Sequence, residues 1–180
     1  MSPVPEAPLE QDQGGLVAKG SGWFVVNARE AQWVHTEELG SAVVFEGDEP
    51  FAQVGINIQV LAPGQPNCMY HGENQQEDFL VLSGECLLLV EGEERRLRAW
   101  DFVHCPPWTN HVFVGAGDGP CAILMVGVRL EHEELIYPVE EVASRHGAGV
   151  EKETPDPSVA YAAYPRSEPG PYREGTLPDR

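Results

Sequence analysis

Residues 70–84 of this 180-residue chain read YHGENQQEDFLVLSG, and this stretch decides the fold. Residues two apart on a strand project to the same face, so His71 and Glu73 are expected to project together. Glu77 follows a short polar stretch and stands at the head of the apolar run 79–82, which ends at a Ser-Gly turn. The pattern predicts two strands that carry an imidazole and two carboxylates to one place.

His111 is the second histidine of interest, because it follows the turn-forming residues 106–110 (PPWTN) and begins another predicted strand. Two imidazoles and two carboxylates can hold one first-row divalent metal ion. His71, Glu73, Glu77 and His111 are therefore the candidate metal ligands. The alternative interpretation is that the glutamates are solvated turn residues and that His71 binds nothing.

The first motif resembles that of the cupin superfamily, in which a histidine pair is followed by a glutamate and then, six residues later, a glycine. Here the pair is His71-x-Glu73, three residues precede Glu77, and six more precede Gly84. Glu73 stands in place of the second histidine. The usual set of three histidines and one glutamate becomes two of each.

The second cupin motif is matched in its proline and histidine, Pro106 and His111. Trp100, Trp108 and Gly115 stand where the family pattern has glycine, glycine and asparagine. The resemblance covers residues 21–130. It implies an all-β protein, a cupin-type double-stranded β-helix or jelly-roll barrel in a single domain.

The resemblance also implies a divalent metal cofactor, namely Mn, Fe(II), Zn or Ni, and the extra carboxylate favours Mn or Fe(II). Cupins of this kind include dioxygenases, sugar-phosphate isomerases and epimerases, which act on small molecules. A non-enzymatic barrel that senses or stores a small ligand is the alternative, because function depends on the site and not on the fold. Cupin barrels commonly form dimers, so a homodimer is expected.

Strand parity identifies candidate walls for a small-molecule pocket. If Glu77 points into the barrel, Phe79 and Val81 do so too, and Phe113 follows His111 in the same way. An apolar lumen with one polar cluster is the usual form of a small-molecule site. An aromatic or apolar ligand is therefore favoured over a sugar phosphate.

The surrounding sequence predicts three parts: an N-terminal arm (1–20), a barrel (21–132) and an extension (133–180). The extension is predicted to be a short helix at 139–146 followed by a tail rich in proline and tyrosine, which lies either loose or packed on a surface. A capping-box pattern predicts a helical turn from Asn27 to about Trp33. Short strands are predicted at 23–26, 42–46, 54–60, 79–82, 86–90, 95–100, 101–104, 111–114 and 121–128.

The net charge of −18 excludes the usual nucleic-acid binder and opposes an anionic membrane surface. The N-terminus has no basic region followed by an apolar one, so no secretory signal is predicted. The expected location is cytoplasmic. The four cysteines are then expected to be reduced thiols in or near the core.

Overall fold

A computed structural model describes residues 2–165 and 167–177, and it is built almost entirely from short strands. Its elements in chain order are β1 Leu9–Asp12, β2 Gly15–Ala18, β3 Gln32–Thr36, β4 Gly40–Val44, β5 Val54–Leu61, β6 Gly72–Glu73, β7 Glu77–Ser83, β8 Glu85–Val90, β9 Glu93–Arg98, β10 Phe102–Cys105, β11 His111–Ala116, β12 Cys121–Val128, β13 Leu135–Ile136, α1 Glu141–Arg145, α2 Pro157–Ala160 and β14 Glu168–Gly170. The all-β prediction is confirmed.

Two antiparallel sheets enclose the main core. The larger sheet has the order β10-β7-β12-β5-β4-β3-β14, and the smaller has the order β11-β8-β9. Apolar side chains from both sheets fill the space between them, including Val81 and Ile123 from the larger sheet and Leu88 and Phe113 from the smaller one. Burial of these alternate residues on each strand holds the two layers together.

Most apolar residues of strand β5 face away from this core, although Leu61 at its end belongs to it. Antiparallel pairing places Asn57 opposite Met125, and Met125 opposite Phe79, so Asn57 projects into the barrel. Ile58 and Val60 project to the other side, where they pack in a cluster that includes Trp33. The alternation at 54–60 thus predicts a strand with one buried face, as found. The residues that bury that face lie outside the barrel, in the cluster around Trp33, and not in the barrel interior.

Local predictions around the first strands need two corrections. The Asn27 carbonyl accepts bonds from the Glu30 and Ala31 amides, which closes a single turn, and β3 begins at Gln32. The predicted helical turn therefore ends before Trp33, because strand pairing takes over. The predicted strand at 23–26 is also wrong, since only an isolated bridge forms there, between Glu6 and Trp23. The predicted helix at 139–146 is confirmed in α1.

The two terminal segments pack on the barrel of their own chain. The predicted arm contains the β1–β2 hairpin, and the predicted tail adds β14 to the free edge of β3. The Tyr172 ring lies 5.6 Å from the Trp33 ring, which is buried. Met1, Arg166 and residues 178–180, which belong to the predicted arm and tail, lie outside the described residues.

All four cysteines are free; Cys86, Cys105 and Cys121 are buried, and Cys68 is half-buried. Among the described residues, every helix is too short or too polar to cross a lipid bilayer.

Candidate metal centre

His71 and His111 meet across an antiparallel bridge that joins the segment before β6 to the start of β11. The His111 amide donates to the His71 carbonyl at 2.8 Å, and the His71 amide donates to the His111 carbonyl at 3.2 Å. Both side chains therefore stand on one side of the pair, and their ring centroids lie 5.3 Å apart. The bridge brings together two residues that are 40 positions apart in the sequence.

Each imidazole is oriented by the carbonyl two residues before it. His71 Nδ1 lies 2.9 Å from the Met69 carbonyl oxygen, and His111 Nδ1 lies 2.9 Å from that of Thr109. Since a carbonyl can only accept, both Nδ1 atoms carry the proton and both Nε2 atoms are free to bind. This is the arrangement expected of metal-binding histidines.

Burial keeps these imidazoles neutral. Desolvation lowers the pKa of His71, and desolvation together with the nearby His71 lowers the pKa of His111 to about 4. Neutral imidazole is the form that binds a metal ion.

The two glutamates complete the cluster. Donor atoms of His71, Glu73 and Glu77 all lie within 4.8 Å of one another. His111 lies outside that tight group but adjoins it, because its Nε2 is 3.3 Å from Glu77 Oε2. The structure thus brings all four predicted residues to one place.

The two carboxylates have an unfavourable environment in the metal-free protein. Burial raises the pKa of Glu73 and, with the charge of Glu73 as a further cause, raises that of Glu77 to about 8. Two adjacent buried carboxylates repel each other unless a proton or a cation joins them. Two neutral imidazole nitrogens and two carboxylates match the charge and chemistry of one divalent ion. The donor set therefore fits a metal.

The predicted wall residues adjoin this cluster to different extents. The Phe79 ring lies 5.2 Å from the His111 ring and 4.7 Å from the Phe113 ring. Val81 is fully buried, two residues further along β7 in the main core. Their role as pocket walls remains a prediction.

Sequence reasoning missed a polar residue that projects into the barrel, Asn57. Its side-chain oxygen is buried and has no hydrogen-bond partner among the described residues. Neighbouring Gln59 is instead tied to the carbonyls of Leu39 and Asn67. The sequence could have indicated this, because Asn57 alternates with apolar residues that face the other side of β5.

Two of the departures from the second cupin motif place a non-glycine residue in a backbone conformation that favours glycine. Trp100 and Trp108 have φ of 76° and 69°, the left-handed conformation that glycine adopts without cost. At Gly115 the family pattern has asparagine, but here only glycine fits, because a Cβ would lie 2.1 Å from the Ala62 carbonyl oxygen. His104 lies on the outer side of β10, where its half-exposed side chain bonds Asp78 at 2.7 Å.

Comparison with known proteins identifies the architecture. Residues 57–127 match the sequence model of the cupin domain. The barrel has the cupin fold. The cupin resemblance and the jelly-roll prediction are thereby confirmed. No curated protein matches the sequence.

Solved cupin structures align with the barrel at low sequence identity. A sugar phosphate isomerase from a cupin superfamily, from Silicibacter pomeroyi, is 22% identical over 64% of this chain and 75% of its own, with a TM-score of 0.51. A predicted oxalate decarboxylase from Thermotoga maritima is 19% identical over 59% of this chain and 100% of its own, with a TM-score of 0.51.

The polyketide cyclase RemF from Streptomyces resistomycificus is 15% identical over 59% of this chain and 79% of its own, with a TM-score of 0.50. These three similarities concern the fold alone, and the names of the three proteins describe different activities. The chemistry of this chain must be argued from its own residues.

Proposed function

We propose that this cupin binds one divalent metal ion through His71, Glu73, Glu77 and His111 and acts on a small organic molecule in the barrel lumen, as an oxidoreductase of the dioxygenase type. One observation carries the proposal. His111, which is buried, and His71, which is half-buried, are held by backbone carbonyls so that each Nε2 is free, beside two carboxylates that repel each other unless a proton or a cation joins them.

The donor set indicates which metals fit. Two carboxylates and two imidazoles make a harder site than three imidazoles and one carboxylate, which favours Mn or Fe(II) over Zn or Ni. When bound, such a metal supplies a Lewis acid or a redox centre with open coordination positions. The chain itself supplies neutral histidines, a half-buried pair of carboxylates and the aromatic contact between Phe79 and His111.

The surroundings of the cluster favour an apolar or aromatic substrate. Phe79 and Phe113 are buried beside His111, and Met125 projects to the same side of the sheet. A phosphate group calls for cations, and Arg129 is engaged by both oxygens of Glu46, at 2.7 and 2.9 Å. A sugar-phosphate isomerase or epimerase is therefore the less favoured alternative.

Metal content tests the first part of the proposal. Elemental analysis of protein purified without a metal-affinity tag should find near-stoichiometric Mn or Fe. Protein that contains no metal, and whose melting temperature does not move when Mn, Fe(II), Ni or Zn is added, would overturn the metal site.

Turnover separates an enzyme from a binding protein. Oxygen consumption by the metal-loaded protein should be measured with a panel of phenols, thiols and 1,3-diketones, with metal-free protein as the control. Uptake that depends on both metal and substrate supports the dioxygenase. Binding of a panel member without oxygen uptake supports a sensing or storage role instead.

Two further expectations belong to this proposal. A homodimer is expected by similarity to other cupin barrels, and its mass in solution can be measured by light scattering. A cytoplasmic location is expected from the sequence of the N-terminus and can be tested by cell fractionation.

A further inference from the structure

The segment 69–74 carries two of the candidate ligands, and the C-terminal extension makes several hydrogen bonds to it. Leu135 and Ile136 of β13 pair with Glu73 and Gly72 of β6. The Asn74 amide donates to the Glu134 carbonyl at 2.9 Å. The ligand-bearing strand β6 thus pairs with β13 of the extension, and His71, just before it, forms a bridge to His111.

The hydrogen bonds at Met69 are the most informative. The Met69 carbonyl orients His71, and the amide of the same peptide group, that of Tyr70, donates to the Ala148 carbonyl at 2.7 Å. The other peptide group of Met69 is held too, because its amide donates to Tyr161 Oη at 3.1 Å. Both peptide groups that flank Met69 are thus fixed by the extension.

Tyr161 is itself held firmly. Asp156 caps α2 by accepting from the Ser158 amide at 2.8 Å, and the Tyr161 amide donates to the Pro157 carbonyl at 2.9 Å. The Tyr161 ring meets the Tyr137 ring edge-on at 5.8 Å, and the Tyr137 ring lies 5.8 Å from the His71 ring. Tyr161 therefore reaches His71 by two routes, one through the backbone of Met69 and one through Tyr137.

We propose that Tyr161 is a positioning residue for His71 and that the extension from Glu134 to Tyr161 is an integral part of the metal centre. The inference rests on the proposed metal site. It adds to that site Tyr161, which lies 90 positions from His71 in the sequence. Loss of the Tyr161 hydroxyl leaves the Met69 amide without its acceptor and loosens the peptide that aims His71. The site then binds its metal less tightly.

The test compares two single-hydroxyl deletions in the full-length protein. Tyr161→Phe should weaken Mn²⁺ binding about 3- to 10-fold by isothermal titration calorimetry, somewhat less than the usual loss of a direct partner of a ligand. Tyr172→Phe is the matched control, because its hydroxyl accepts from the Leu177 amide and its ring packs on Trp33, on the outer face of the barrel. The affinity of Tyr172→Phe for Mn²⁺ should equal that of the wild type.

A spectroscopic readout distinguishes positioning from general stabilisation. The paramagnetic resonance spectrum of bound Mn²⁺ should change in Tyr161→Phe and stay unchanged in Tyr172→Phe. Unchanged affinity and an unchanged spectrum in folded Tyr161→Phe overturn the inference, while the metal site itself stands. Failure of the wild type to bind Mn²⁺ overturns the proposed function first and this inference with it.

Hydrogen exchange on the wild type provides a test that needs no variant. Added Mn²⁺ should slow amide exchange in residues 69–74 and also in 157–161, but not in 170–177. Slowing confined to 69–74 contradicts a role for the extension.

Discussion

Glu77 Oε2 lies 3.3 Å from His111 Nε2, and this pair joins β7 to β11. Glu77 begins β7 in the larger sheet, and His111 begins β11 in the smaller one. A metal ion held by both residues would link the two layers of the barrel. Removal of either donor should therefore affect metal content and barrel stability together.

His111→Ala should reduce the metal content of the purified protein to background. The variant removes one Nε2 donor and leaves Glu77 without its neighbour. His104→Ala is the control, because His104 is half-exposed and bonds Asp78. Elemental analysis of both variants checks the prediction, and full metal content in His111→Ala would exclude this residue as a ligand.

The metal-free protein should lose stability as the pH rises from about 6.5 to about 8. At lower pH the lowered pKa values of His71 and His111 act in the opposite direction, because the unfolded protein then binds protons that the folded protein excludes. The pKa of Glu77 is about 8 in the folded protein, above its ordinary value of 4.5, so the folded state binds the extra proton across this range. The stabilisation is complete below pH 4.5 and is lost as the pH passes through 8. The loss should be on the order of 2 kcal/mol, or several degrees in melting temperature.

Thermal unfolding of metal-free protein across this pH range is the measurement. Glu77→Gln should remove most of the decline, since a neutral amide has no proton to lose. Added Mn²⁺ should also remove it in the wild type. A decline of the same size in Glu77→Gln would assign it to another group.

Trp100→Gly should raise the free energy of unfolding by about 0.5–1 kcal/mol. A left-handed backbone costs a non-glycine residue about 1–2 kcal/mol, and the greater freedom of glycine in the unfolded chain offsets part of that gain. Trp100 is 75% exposed, so little packing is lost. Urea unfolding measures the change; destabilisation by more than 1 kcal/mol would show that the exposed ring makes a contribution we have not identified.

Asn57→Leu should stabilise the metal-free protein by about 1 kcal/mol, because an unpaired buried oxygen is removed. Gln59→Leu is the matched control on the same strand and should destabilise the protein by about 1–2 kcal/mol, because it breaks two bonds to backbone carbonyls. Denaturant titration compares the two variants. Equal destabilisation by both would mean that the Asn57 oxygen is satisfied.

Sequence patterns predicted the parts of the site that depend on local spacing. His71, Glu73 and Glu77 belong to one motif, and His111 follows a recognisable turn, so their convergence could be expected once a barrel was assumed. The alternation in β5 revealed a half-buried strand but not which side faced the lumen. That choice depends on what covers the outer sheet, and the covering residues come from both ends of the chain.

The role of the extension could not be read from the sequence. Tyr161 stands in a region rich in proline and tyrosine, and its contact with Met69 joins positions 92 residues apart. No periodic pattern specifies such a contact, since it depends on the path that the chain takes after β12. The left-handed backbone at Trp100 and Trp108 was indicated only indirectly, by the glycines of the family pattern.

The strand β14 has a consequence for how two copies of this chain can associate. It occupies the outer edge of β3 with register Glu168 to His35 and Gly170 to Trp33. An unoccupied strand edge is a template for pairing with another chain, so the segment protects the sheet from growth on that side.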